Sequence, residues 1–197
     1  TAAGNTAITN DAALALQGAV TGTLAATATT GGITDSSNLS ATGNVTLNDV
    51  ATAGITLDTL EADANVILTA AGNTAITNDA ALALQGAVTG TLAATATTGD
   101  ITDSDALTVS GASVFTLGAD GSNISLDSAA NAFSGAVTLK AGSSGIQTFG
   151  NIVFVDSGAI DFDSAASADG DLFLDGGTDN TVGGSLSVTA TAGGITD

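Results

Sequence analysis

The chain has 197 residues and a formal net charge of -19, one basic residue standing against 20 acidic ones. That charge argues against nucleic acid and anionic lipid as partners, since both are held through Lys and Arg, and no apolar run is long enough to cross a bilayer as a helix. A hydrophobic fraction of 44% and a mean hydropathy of +0.42 argue against disorder, and without Cys there is no disulfide framework.

Taken from the start, the stretch 1–31 recurs unchanged at 69–99, so that Thr1 opens one copy and Thr69 the next. The match runs on so that 1–36 repeats as 69–104, with Gly32 against Asp100 the one difference. The repeat unit is therefore 1–68. A diverged copy at 182–197, VGGSLSVTATAGGITD, answers VTGTLAATATTGGITD at 20–35. Between the copies lie short alternating runs: VTL at 45–47, ITL at 55–57, VIL at 66–68, ISL at 124–126 and VTL at 137–139. Alternation at period two predicts strands with one face inward. ALALQ at 81–85 is the best short helix candidate, but Leu82 and Leu84 read more simply as alternation.

Isoleucines mark a finer period at Ile8, Ile33, Ile55, Ile76, Ile101, Ile124 and Ile146, with Leu172 and Ile195 taking the last two places. Their spacing predicts coils of about 21–26 residues, three of them filling the unit 1–68. A coil of that size cannot bury its inner face alone, so coils stack. The expected fold is all-β: a parallel β-helix (β-solenoid) of roughly eight to nine coils, one continuous segment over residues 1–197. The competing layout, a string of antiparallel sandwiches, needs larger modules and bulkier core residues. The six Phe, all at 115 or later, are expected to fill a wider core in the second half.

The side chains leave little room for catalysis. With no His, Cys, Tyr or Arg, neither a Ser-His-Asp nor a Cys-His arrangement can be built. Zinc and iron sites lack their usual ligands. Paired carboxylates, as in glycoside hydrolysis, are the one catalytic option, without Trp or Tyr to hold a sugar. The expectation is no enzyme.

Asp placement is regular. One Asp follows the isoleucine position by three at Asp11, Asp58, Asp79, Asp127 and Asp175, and by two at Asp35, Asp103 and Asp197. Two readings stand: solvated turn capping, or calcium held by stacked carboxylates. The densest acidic segment, 161–180, supplies the calcium candidates Asp161, Asp163, Asp169, Asp171 and Asp175, although no Glu closes an EF-hand loop there. Thr-x-Thr pairs at Thr27 and Thr29, Thr95 and Thr97, and Thr189 and Thr191 are expected to be ordinary strand-face threonines. Asn38, Asn44 and Asn123 lie in glycosylation sequons.

The stretches GNVTLNDVATAGITLDTLEADANVILTAAGN at 43–73 and GDITDSDALTVSGASVFTLGAD at 99–120 resemble the repetitive regions of large bacterial surface adhesins of the filamentous-haemagglutinin type. The resemblance covers essentially the whole chain. It implies a right-handed parallel β-helix, export, and a role in adhesion, biofilm or a surface filament. Because the chain opens and closes inside a repeat without a charged or helical cap, head-to-tail self-association or membership of a giant chain is expected. The alternatives are an adhesin stalk or binding module for host or matrix glycans and, more weakly, a β-helix polysaccharide-degrading enzyme.

Overall fold

The computed structural model describes residues 1–141, 148–161, 172–174 and 181–196. The first coils are built from β1 (Thr6–Asn10), β2 (Leu14–Val20), β3 (Leu24–Ala28), β4 (Ile33–Ala41), β5 (Val45–Asp49), β6 (Ile55–Ala62) and β7 (Val66–Ala70). They continue through β8 (Thr74–Asn78), β9 (Leu82–Val88), β10 (Leu92–Ala96), β11 (Ile101–Val109), β12 (Ser113–Leu117), β13 (Ile124–Leu126), β14 (Ala132–Phe133) and β15 (Val137–Ala141). After them come β16 (Thr148–Phe149), β17 (Ile152–Asp156), β18 (Ile160–Asp161), β19 (Leu172–Leu174), β20 (Thr181–Val182), β21 (Leu186–Ala190) and β22 (Ile195–Thr196).

All pairing between these strands is parallel. Through β13 the strands alternate between two sheets as the chain winds; farther on, β16 with β20 and β18 with β22 form two more, two-stranded sheets. Sheet 1 has ten strands, in order β1-β3-β5-β7-β9-β11-β13-β17-β21, with β14 beside β11; sheet 2 has eight, β2-β4-β6-β8-β10-β12-β15-β19. Each coil up to β13 is therefore two strands and two turns, the later coils add short strands, and the expected β-solenoid is what the chain forms.

The coil count is smaller than the isoleucine spacing implied. From Leu14 to Val137 the chain makes six turns, through Ile33, Ile55, Thr74, Leu92 and Ser113, each of about 21 residues, the size of one solenoid repeat. The tightest of them runs from Thr74 to Leu92 and the longest from Ser113 to Val137. Later steps are wider: Ile124 to Ile152 and Ile152 to Leu186 in sheet 1, and Val137 to Leu172 in sheet 2. The eight to nine coils expected thus become about six regular turns.

The phase is corrected as well. Ile8 lies in sheet 1, Ile33, Ile55 and Ile76 in sheet 2, and Ile101 and Ile124 in sheet 1 again. The two longest isoleucine steps in this run, from Ile8 to Ile33 and from Ile76 to Ile101, are one and a half coils rather than one. The repeat unit therefore spans three and a half coils, not three: β1 through β7, before β8 opens the second copy, is an odd number of strands. As a result TAITN, LALQGAV and LAATA sit in sheets 1, 2 and 1 in the first copy and in sheets 2, 1 and 2 in the second.

Burial follows the alternation. Inward positions of both sheets meet in one apolar core, with columns such as Leu57–Ile76–Ala94–Phe115–Leu139 running up sheet 2. Four phenylalanines, Phe115, Phe133, Phe149 and Phe154, are buried in the second half, as expected. Phe133 packs edge-on to Phe115 at 6.0 Å and tilted against Phe154 at 5.3 Å, contacts that add to their burial. Phe162 lies outside the described residues.

Candidate functional site: polar bulges, capped turns and flat patches

Strand length alternates across the core. β1, β3, β5 and β7 on sheet 1 are plain five-residue strands, and so are β8, β10, β12 and β15 on sheet 2. Facing them are seven- to nine-residue strands that bend outward: β2, β4 and β6 on sheet 2, then β9 and β11 on sheet 1. Their register breaks between Leu16 and Gly18, Thr34 and Leu39, Leu57 and Leu60, and Asp103 and Leu107. Gly18 and Gly86, the same position of the repeat, turn these strands with φ of 102° and 110°, a conformation costly to any residue with a Cβ.

The bulges stack into polar columns. Asp35 accepts hydrogen bonds from the Asp58 N–H (3.0 Å), the Thr59 N–H (2.7 Å) and the Thr59 hydroxyl (2.8 Å) one coil on. Asp103, its counterpart, accepts from the Asp127 N–H (3.0 Å), the Ser128 N–H (2.9 Å) and Asn131 Nδ2 (2.6 Å). Ser36 and Ser104 donate to Gln17 and Gln85 at 3.3 and 2.8 Å. Unpaired bulge amides are thus satisfied by the carboxylate of the coil before, which is what turn capping requires. The regular Asp spacing is accounted for at these positions by capping.

A second ladder runs along a turn edge. Asp100 accepts from the Asn123 N–H at 2.7 Å, Asn123 Oδ1 from the Asn151 N–H at 2.6 Å, and Asn151 Oδ1 from the Ser185 N–H at 2.9 Å. Asn5 and Asn73 make the same contact, accepting from the Thr23 and Thr91 N–H groups at 3.0 Å each. Glycine follows one coil later because the amide oxygen leaves no room for a Cβ: at Gly90 it would collide with Asn73. The sequence marks Asn123 only as a sequon; in the fold both ends of its side chain are engaged, Nδ2 donating to Asp100 at 3.0 Å. Asn38 Nδ2 donates to Glu61 at 2.6 Å, and Asn44 is half-buried beside β5. A signal for the ladder is present in the sequence, as Gly-Asn and Gly-Thr pairs recurring at coil spacing.

Some polar groups are buried. Asp49 and Asp156 are the last, inward residues of β5 and β17 and accept from the Gly54 N–H (2.8 Å) and the Phe133 N–H (3.0 Å). Asn78 is fully buried and accepts from the Ala62 N–H at 2.8 Å while donating to the Ala81 carbonyl at 2.7 Å.

Of the calcium candidates, Asp161 ends β18 and is half-buried. Asp163, Asp169, Asp171 and Asp175 lie outside the described residues. Among the described residues no three acidic side chains come together as a metal site. Where the wide face changes sheets, an open groove of about 300 Å³ carries Asp58, Glu61 and Asp79. Thr97 lines that groove, whereas Thr27 and Thr95 stand on plain strands facing outward. Adjacent coils do align threonines: Thr77, Thr95 and Thr116 form one column, and Thr9 and Thr27 begin another.

Together these features define a repeat protein of the two-sheet parallel β-solenoid class. The chain belongs to the family described as repeats of unknown function (DUF5649), whose model matches residues 3–70 and again 71–140. The two matches coincide with the half-turn units: the first opens in sheet 1, the second in sheet 2. No curated protein and no solved structure matches the chain.

Proposed function

We propose that the chain is a length of extracellular structural rod that contributes to a surface filament. One observation carries the reading. Nine strands of sheet 1 form an unbroken parallel ladder in which each coil presents the next with the same kind of edge. A unit can therefore be added without any new type of contact, either within one giant chain or by end-to-end stacking of strand edges. The side chains are used for scaffolding: carboxylates and amides cap turns, and Ala, Thr and Val fill the strands. This favours a structural role over an enzymatic one. The strong negative charge disfavours nucleic acid and anionic membrane as partners.

The resemblance to haemagglutinin-type adhesins supports placement at the cell surface. It also favours a second reading, a stalk that carries or itself presents a glycan-binding surface.

The test has two parts. Chains lengthened by whole repeat units should grow by about 17 Å per unit at constant cross-section, from three and a half coils at about 4.8 Å each, as read by X-ray scattering and electron microscopy. A compact particle whose length does not follow unit number would defeat the rod. Antibody labelling of intact source cells should decorate surface fibres; label confined to the cell interior would defeat the extracellular placement.

A further inference from the structure

The plain strands make two flat patches, one on each side of the rod. On sheet 1 the outward residues of β1, β3, β5 and β7 are Ala and Thr with Asn48 and Ile67; on sheet 2 those of β8, β10, β12 and β15 are Ala, Thr and Val, closing with Lys140. No described acidic side chain faces outward from either patch. The described acids sit in the turns (Asp11, Asp63, Asp79, Asp100, Asp120, Asp127), in the bulged strands, inward (Asp49, Asp156), or at the end of β18 (Asp161). In a chain of net charge -19 this segregation makes the patches places where two copies can approach without opposing carboxylates.

We infer that the two flat patches are docking surfaces for a second copy of this chain, side against side. Three observations converge on that occupant. The patches are free of acid, whereas the bulged strands and turns between them carry most of the described acids. Their side chains are small and alternate on a plain sheet, the surface that packs at about 10 Å sheet to sheet. And the repeat unit of three and a half coils makes half of each patch a copy of the other: Ala7, Thr9, Ala25 and Thr27 on one side are Ala75, Thr77, Ala93 and Thr95 on the other. A surface complementary to these two strands meets the same side chains on both sides of the rod, so association through both sides continues open-ended. Each patch, four strands by five residues, covers about 320 Å². That is well under the roughly 800 Å² per partner of a standard interface, so one contact is weak and arrays of repeats gain by avidity. The inference does not require end-to-end growth.

The experiment uses this chain at high concentration in sedimentation equilibrium, from low salt to about 1 M, where the Debye length falls to about 3 Å. Wild type should associate reversibly beyond dimers, more at high salt. Thr95→Asp should stop it at dimers joined through the sheet 1 patch. Thr27→Asp should stop it at dimers through the sheet 2 patch, and the double variant should be monomeric. Because these side chains face outward, the unfolding midpoint should stay close to that of wild type; Ala25→Asp with Ala93→Asp provides a second pair in the neighbouring columns. Wild type that is monomeric at high salt overturns the proposal. So does association that the double variants leave intact, which would point to end-to-end contact instead. Retention of monomeric wild type on an insoluble polysaccharide, lost in the double variants, would assign the patches to that ligand and likewise overturn it.

Discussion

Asn10 ends a strand in sheet 1, and Asn78, the same residue of the repeat, ends the same strand in sheet 2. Both donate to the carbonyl three residues on, Asn10 to Ala13 at 2.9 Å and Asn78 to Ala81 at 2.7 Å. Asn78 in addition pairs with both backbone groups of Ala62, at 2.8 and 3.2 Å, and is fully buried. Removing it strands buried groups that water cannot reach. We expect Asn78→Ala to cost about 3 kcal/mol and Asn10→Ala under about 1 kcal/mol, measured by denaturant unfolding. Equal losses at the two positions would contradict the difference in burial.

Thr74 stands inward in the column Ile55–Thr74–Leu92–Ser113–Val137. Its hydroxyl and that of Ser113 are buried without a hydrogen-bond partner. Replacing each by an apolar residue of like size removes that penalty. Thr74→Val and Ser113→Ala are expected to raise stability, by about 1 kcal/mol for Thr74→Val. A lowered unfolding midpoint in both would show that the hydroxyls are satisfied.

Gly18 and Gly86 share a backbone conformation but not a neighbour. A Cβ at Gly18 meets nothing within 4 Å, whereas one at Gly86 would run into the Leu68 carbonyl of the coil before. Gly18→Ala should therefore cost only the backbone term, about 1–2 kcal/mol. Gly86→Ala should cost at least twice that, with loss of protection in amide exchange across β7 and β9. Equal costs would place the strain in φ alone.

Asp103 accepts three hydrogen bonds from the next coil. Asp103→Ala leaves those donors to solvent and should lower stability by about 2 kcal/mol, while Asp103→Asn keeps one acceptor oxygen and should lose about half as much. The corresponding Asp35 variants should behave alike, since Asp35 caps Asp58 and Thr59 in the same way. Indifference at both sites would remove the capping account of the regular aspartates.

The repeat, the strands and their inward faces were legible in the sequence. Alternation such as Val45, Leu47 in and Thr46, Asn48 out needs only a period of two, and the parallel stacking follows because a coil this short has no core of its own. The Asp spacing was legible too, but its meaning was not: whether Asp35 faces a cation or the Thr59 amide depends on what the next coil places above it.

By itself the sequence determined a β-solenoid of tandem units. Only the tertiary structure decided how those units wind. A strand of alternating residues packs equally well in either sheet, because both sheets turn their inward faces to one core. Nothing in TAITN or LAATA therefore records which sheet it occupies, and the isoleucine spacing counts residues rather than half-turns. The odd number of strands per repeat unit, and with it the appearance of Thr27 and Thr95 on opposite sides of the rod, is set by where each turn sends the chain.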